Sequence, residues 1–68
     1  MTVTLNGTAT VLPDGSTVAD AVRALTGPGQ PRGIAVARGG TVVPRSAWEA
    51  TVLAEGDRLE VLTATQGG

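Results

Sequence analysis

Cysteine, histidine and lysine are missing from this 68-residue chain, phenylalanine and tyrosine with them, and Trp48 is the only aromatic residue. Without thiols there is no disulfide framework, no thiolate nucleophile, and no cysteine-built zinc or iron–sulfur site. Without imidazole the commonest general base and metal ligand is gone, so no metal site and no bound cofactor are expected. The five cations, Arg23, Arg32, Arg38, Arg45 and Arg58, are dispersed along the chain. They form no basic stripe of the kind that holds a nucleic-acid backbone. The opening MTVTLNGTATVLPDG has neither a charged leader nor an apolar segment, and the longest unbroken apolar run is the four residues Ile34–Ala37. A signal peptide and a membrane span are therefore not expected, and a cytoplasmic chain is.

What is present suits one small domain. Nine Val, six Leu, one Ile and ten Ala supply the apolar volume, and the formal net charge is −1. A chain of this size buries roughly 60% of its unfolded surface, so its stability is expected to be modest. A core filled mainly by small β-branched side chains favours strands.

Thr2–Asn6 alternates polar and apolar, which puts Val3 and Leu5 on one face. Asn6-Gly7 follows, a dipeptide suited to the type I′ hairpin turn because that turn needs positive φ at both central positions. Thr8–Leu12 returns as a second strand, and Pro13-Asp14-Gly15 breaks it. Thr17 with Asp20 forms a capping-box pattern at the start of a helix, and Val18, Ala21, Val22 and Leu25 give that helix one apolar face. Gly27-Pro28-Gly29 stops it. Ile34–Ala37 reads as a buried strand, Gly39-Gly40 as a turn, and Thr41–Val43 as the returning strand, closed by Pro44, which lacks an N–H. Ser46–Glu49 has room for one helical turn, Glu55-Gly56-Asp57 is a turn, and Arg58–Ala64 is a last strand with Leu59 and Val61 on one face. The simplest arrangement that buries these faces is α+β, one main helix packed on a mixed four- or five-stranded sheet. The expected core is Val3, Leu5, Val18, Val22, Leu25, Ile34, Val36, Leu59 and Val61.

Few residues offer chemistry. Ser16 and Ser46 are the only serines, and no His or Lys exists to activate either. Glu55 and Asp57 flank a glycine turn and read as solvated. The segment GPGQPRG lacks the Gly-Lys-Ser/Thr ending of a phosphate loop, and its prolines remove donors such a loop requires. No catalytic residue is expected. Trp48 suits a cover over the core, with a partner anchor as the alternative. If Leu59 and Val61 face the helix, then Glu60, Leu62 and Ala64 face away. An outward Leu beside the terminus is either a docking contact or a lone exposed apolar residue.

The C-terminus carries the remaining potential. Thr65-Gln66-Gly67-Gly68 extends past the last strand. Four extended residues reach about 13–14 Å. Glycines without Cβ atoms pass through narrow channels, and a terminal carboxylate is ionised at neutral pH. Such an end is either a reactive group, activated by attack on a nucleotide's α-phosphate in another protein, or a frayed tail.

Taken together, Asn6-Gly7 after the first strand, Val43-Pro44-Arg45 followed by Trp48, the turn Glu55-Gly56-Asp57 and the closing Gly67-Gly68 resemble the ThiS family of sulfur-carrier proteins over essentially the whole chain. The resemblance implies a ubiquitin-like β-grasp fold, with residues 1–64 as the domain and 65–68 as a flexible tail. It implies a carrier, monomeric on its own and not itself an enzyme. A ThiF-like adenylyltransferase would use ATP to adenylate the Gly68 carboxylate, with Gly67 giving access. A sulfur-donor protein would supply the sulfur of a thiocarboxylate, which the thiazole synthase ThiG would consume in thiamine biosynthesis. Glu60, Leu62 and Ala64 are the candidate docking residues. Gln66 stands where relatives often carry a small residue, and core aromatics found in some relatives are missing.

Three other readings stay open at this level. The small subunit of molybdopterin synthase shares the fold, the Gly-Gly end and the thiocarboxylate. A carrier serving cysteine or another sulfur metabolite would look the same. A non-carrier β-grasp binding module would dock a partner without using its terminus, and a chain ending at Gly68 is expected to favour the carriers over it.

Overall fold

The computed structural model describes residues 1–27 and 33–63. The expectation of an exposed, poorly ordered tail at Thr65–Gly68 falls outside them.

Five strands and one α-helix make up the fold: β1 (Thr2–Leu5), β2 (Thr8–Val11), α1 (Val18–Thr26), β3 (Ile34–Arg38), β4 (Thr41–Val43) and β5 (Arg58–Thr63), with a 3₁₀ turn at Arg45–Ala47. The strand order is β2-β1-β5-β3-β4. Two hairpins thus flank β5, which runs parallel to β1 and antiparallel to β3. Both hairpins close as their turn residues dictate. Asn6 and Gly7 have φ of 50° and 84°, Gly39 and Gly40 have 55° and 87°, and all four sit in the left-handed region that type I′ turns demand.

The helix begins where its cap directs. The Thr17 side chain accepts from the Asp20 N–H, and the Asp20 carboxylate accepts from the Thr17 N–H at 2.9 Å, so two otherwise orphaned donors are satisfied reciprocally. At the other end the Gly27 N–H donates to the Arg23 carbonyl at 2.8 Å.

One cluster forms the core: Val3, Leu5, Leu12, Val18, Ala21, Val22, Val36, Trp48, Leu53, Leu59 and Val61. Seven of the nine expected core residues are in it. Ile34 is half-buried against its edge. Leu25 departs from expectation, being 45% exposed. The cause is where the helix is stitched down. Val18 N–H donates to Thr51 O, Ala19 N–H to Trp48 O, and Leu53 N–H to Ser16 O, all at the helix start. The irregular segment from Trp48 to Leu53 therefore fastens the start of the helix, at the opposite end from Leu25. One helix on a five-stranded mixed sheet with its first and last strands parallel at the centre is a ubiquitin-like β-grasp.

Candidate functional site

β5 leads to the C-terminal residues, and its alternation sorts its side chains by role. Leu59 and Val61 are buried beneath the helix, whereas Arg58, Glu60 and Leu62 are exposed, Leu62 at 68%. The outward placement expected for Glu60 and Leu62 is what the structure shows. Ala64, Gly67 and Gly68 lie outside the described residues.

The register to β3 places Leu62 opposite Ala35 and Glu60 opposite Ala37, and β4 in turn places Val42 opposite Ala37. Directly opposed residues share a face of an antiparallel pair. Leu62, Ala35, Ala37 and Val42 thus form an apolar strip on the sheet surface away from the helix. Val42 is 69% exposed. Glu60 supplies a negative charge within the strip, and Arg58 a positive one farther along the same strand. A surface of this kind, small and apolar with a few charges to fix orientation, is suited to docking a protein.

A further contact secures β5 from its other side. The Val61 N–H donates to Asn6 Oδ1 at 2.7 Å, and Asn6 Nδ2 donates to the Val61 carbonyl at 3.0 Å. From the sequence alone Asn6 is a turn residue and nothing more. The signal that hints at more is its identity at the first turn position, since Asn combines tolerance of positive φ with a side chain able to mimic a peptide.

The other candidates resolve as structure. Trp48 is buried in the core and its Nε1–H donates to the Val43 carbonyl at 2.9 Å, so its indole is not presented to a partner. The Arg45 guanidinium lies 5.3 Å from the ring centroid. The expectation that Glu55 and Asp57 are merely solvated is corrected. Asp57 is half-buried, pairs with Arg38 at 2.8 Å and accepts from the Ala54 N–H at 2.7 Å. Glu55 is exposed but accepts from the Thr2 N–H at 2.9 Å. Both carboxylates thus tie the turn before β5 to the rest of the sheet. Ser16 is buried and donates to the Pro13 carbonyl at 2.6 Å, which makes it a turn brace. Among the described residues no three of His, Cys, Asp or Glu cluster to hold a metal ion, and no helix is long and apolar enough to cross a membrane.

Comparison with known proteins agrees with this architecture. No curated protein sequence matches the chain. Among solved structures, it is similar to the crystal structure of the thiamine biosynthesis protein ThiS from Geobacter metallireducens, with 30% identity, complete coverage of both chains and a TM-score of 0.79. An NMR solution structure of a thiamine biosynthesis protein from the same organism matches at 30% identity with a TM-score of 0.78, covering 100% of this chain and 88% of that one. The sequence profile of the ThiS family matches residues 2–68, so the fold, the central last strand and the glycine-ended segment beyond it all fall within a single match. The chain belongs to the ThiS family.

Proposed function

We propose that this protein is a sulfur carrier of thiamine biosynthesis, with residues 1–64 as the docking domain and 65–68 as the tail that carries the reactive group. The observation that carries this reading is the family match, which runs through Gly68. The chain has no His or Cys to perform catalysis, so the reacting machinery belongs to its partners.

In this reading a ThiF-like adenylyltransferase binds ATP. A carboxylate oxygen of Gly68 attacks the α-phosphorus, the bond to the β-phosphate oxygen breaks, and pyrophosphate leaves. The resulting acyl-adenylate has a good leaving group. Sulfide (HS−) released by a donor protein then attacks the acyl carbon, AMP departs as the leaving group, the added sulfur loses its proton, and Gly68 ends in a thiocarboxylate. The thiazole synthase ThiG consumes that sulfur in forming the thiazole ring. Glu60 and Leu62, with Ala64 beyond them, dock these partners through the open sheet face. Gly67 lets the backbone enter a channel too narrow for a side chain.

Intact-mass measurement after incubation with a ThiF-like adenylyltransferase, ATP and a sulfur source tests the reading. The full chain is expected to exchange one oxygen for one sulfur at Gly68, and the chain lacking Gly68 to stay unchanged while folding normally. Sulfur gained by the shortened chain and mapping away from the terminus would overturn the carrier reading in favour of a binding module.

A further inference from the structure

We propose that Asn6 is a positioning residue for the C-terminal chemistry, clamping the strand from which residues 64–68 continue; this rests on the carrier reading above. The two central parallel strands differ in length, four residues in β1 against six in β5. β1 ends at Leu5, whose partner is Leu59, and the last backbone bond between the strands runs from the Asn6 N–H to the Leu59 carbonyl at 3.0 Å. There the chain must turn into β2, with Asn6 at φ 50°. β5 continues to Thr63 with backbone partners on the β3 side, through Leu62 opposite Ala35 and Thr63 opposite Ile34. On the β1 side, the next peptide groups of β5 belong to Val61, and among the described residues no strand reaches them.

The Asn6 carboxamide takes the missing strand's place. One amide offers a donor and an acceptor in the same plane, as a peptide does. It accepts from the Val61 N–H at 2.7 Å and donates to the Val61 carbonyl at 3.0 Å. Both bonds are partly buried, where an unmade hydrogen bond is costly. The clamp therefore holds β5 from both sides at the residue just before Leu62, two positions from the end of the strand. It holds the end of β5 laterally on the β1 side, while the register to β3 keeps Leu62 on the outer face. Delivering a terminal carboxylate to an α-phosphorus is sensitive to small misplacement, so the strand that launches it must be held laterally.

Asn6→Gly isolates the clamp, because glycine adopts the positive φ of the turn without strain and removes only the side chain. Asn6→Asp is the second variant: it tolerates the same φ and keeps the acceptor, but sets a carboxylate against the Val61 carbonyl. Two measurements are made where both variants are fully folded. The first is amide hydrogen exchange of the free protein. Exchange at Val61 is expected to quicken about tenfold in Asn6→Gly, with Val3 and Val18 unchanged. The second is steady-state pyrophosphate release with ATP and the cognate ThiF-type adenylyltransferase. For both variants kcat is expected to fall about tenfold, with KM for the carrier within about twofold, because the docking strip is untouched. A merely structural clamp would leave kcat alone. Wild-type kcat in Asn6→Gly, with the wild-type chain adenylated normally, would overturn the positioning role and leave the carrier reading standing. Failure of the wild-type chain to be adenylated at all would overturn both.

Discussion

The two faces of β5 have the same backbone and opposite obligations. On the inner face Leu59 is fully buried and Val61 nearly so, in one core with Val3, Val36 and Val18 of α1. On the outer face Glu60 and Leu62 stand in solvent beside the small side chains of β3. The inner residues are fixed by packing, where the loss of even one methylene is felt. The outer ones are free of that demand, so a large exposed Leu there is available for recognition. A central strand is a sound place to combine the two, because it is bonded on both sides and its outward side chains are held on a rigid frame.

That contrast can be broken most severely from the inside. Leu59→Ala leaves a cavity in the middle of the core and is expected to cost about 2–5 kcal/mol, a large share of the stability of so small a domain. Chemical denaturation should show a midpoint far below that of the wild-type protein. A midpoint within error of wild type would mean that the inner face is not the one holding the fold. On the outer face, Leu62→Glu should leave stability within about 0.5 kcal/mol, as expected for an exposed position. It should also raise KM for the carrier in the adenylation assay about tenfold, by setting a charge in a desolvated contact. Unchanged KM would remove the strip from the docking surface. The smallest effect sharpens the comparison from a distance. Thr17→Ala removes the helix cap and is expected to cost about 1 kcal/mol by thermal denaturation, with KM and kcat unaffected, because it acts on the inner layer alone.

The parts of this fold that could be read in the sequence are those governed by neighbours along the chain. The Asn6-Gly7 turn, the Thr17–Asp20 cap and the alternation of Leu59 and Val61 each follow from a few adjacent residues, and each is found as expected. Leu12 and Leu53 were harder to place because they enter the core from the end of an edge strand or from irregular chain, where no period announces them, whereas Trp48 covers the core as its size suggests. Leu25 has the right spacing and the wrong location: periodicity says which face of a helix is apolar, but not how far along it the partner layer extends. Asp57 and Glu55 looked free because their partners, Arg38 and Thr2, are remote in sequence. The same holds for Asn6, whose second task requires knowing that Val61, 55 positions away, lies beside it. For the candidate site, the outward placement of Glu60 and Leu62 was legible from strand period alone, whereas the strip they join needed the β3 register.

The position of β5 also bears on how the molecule comes into being. The strand at the middle of the sheet follows all the others in the chain, and the hairpins β1–β2 and β3–β4 touch through it rather than through each other. During synthesis both hairpins can emerge early, yet each is a two-stranded ribbon with marginal stability in water. The sheet cannot close until β5 has left the ribosome and slotted between them. The loop it closes against β1 spans nearly the whole chain, and closure of a loop that long must precede the gain from packing. Folding of this protein is therefore a late-committing event, and a nascent chain halted before Arg58 holds two unjoined hairpins with nothing to unite them.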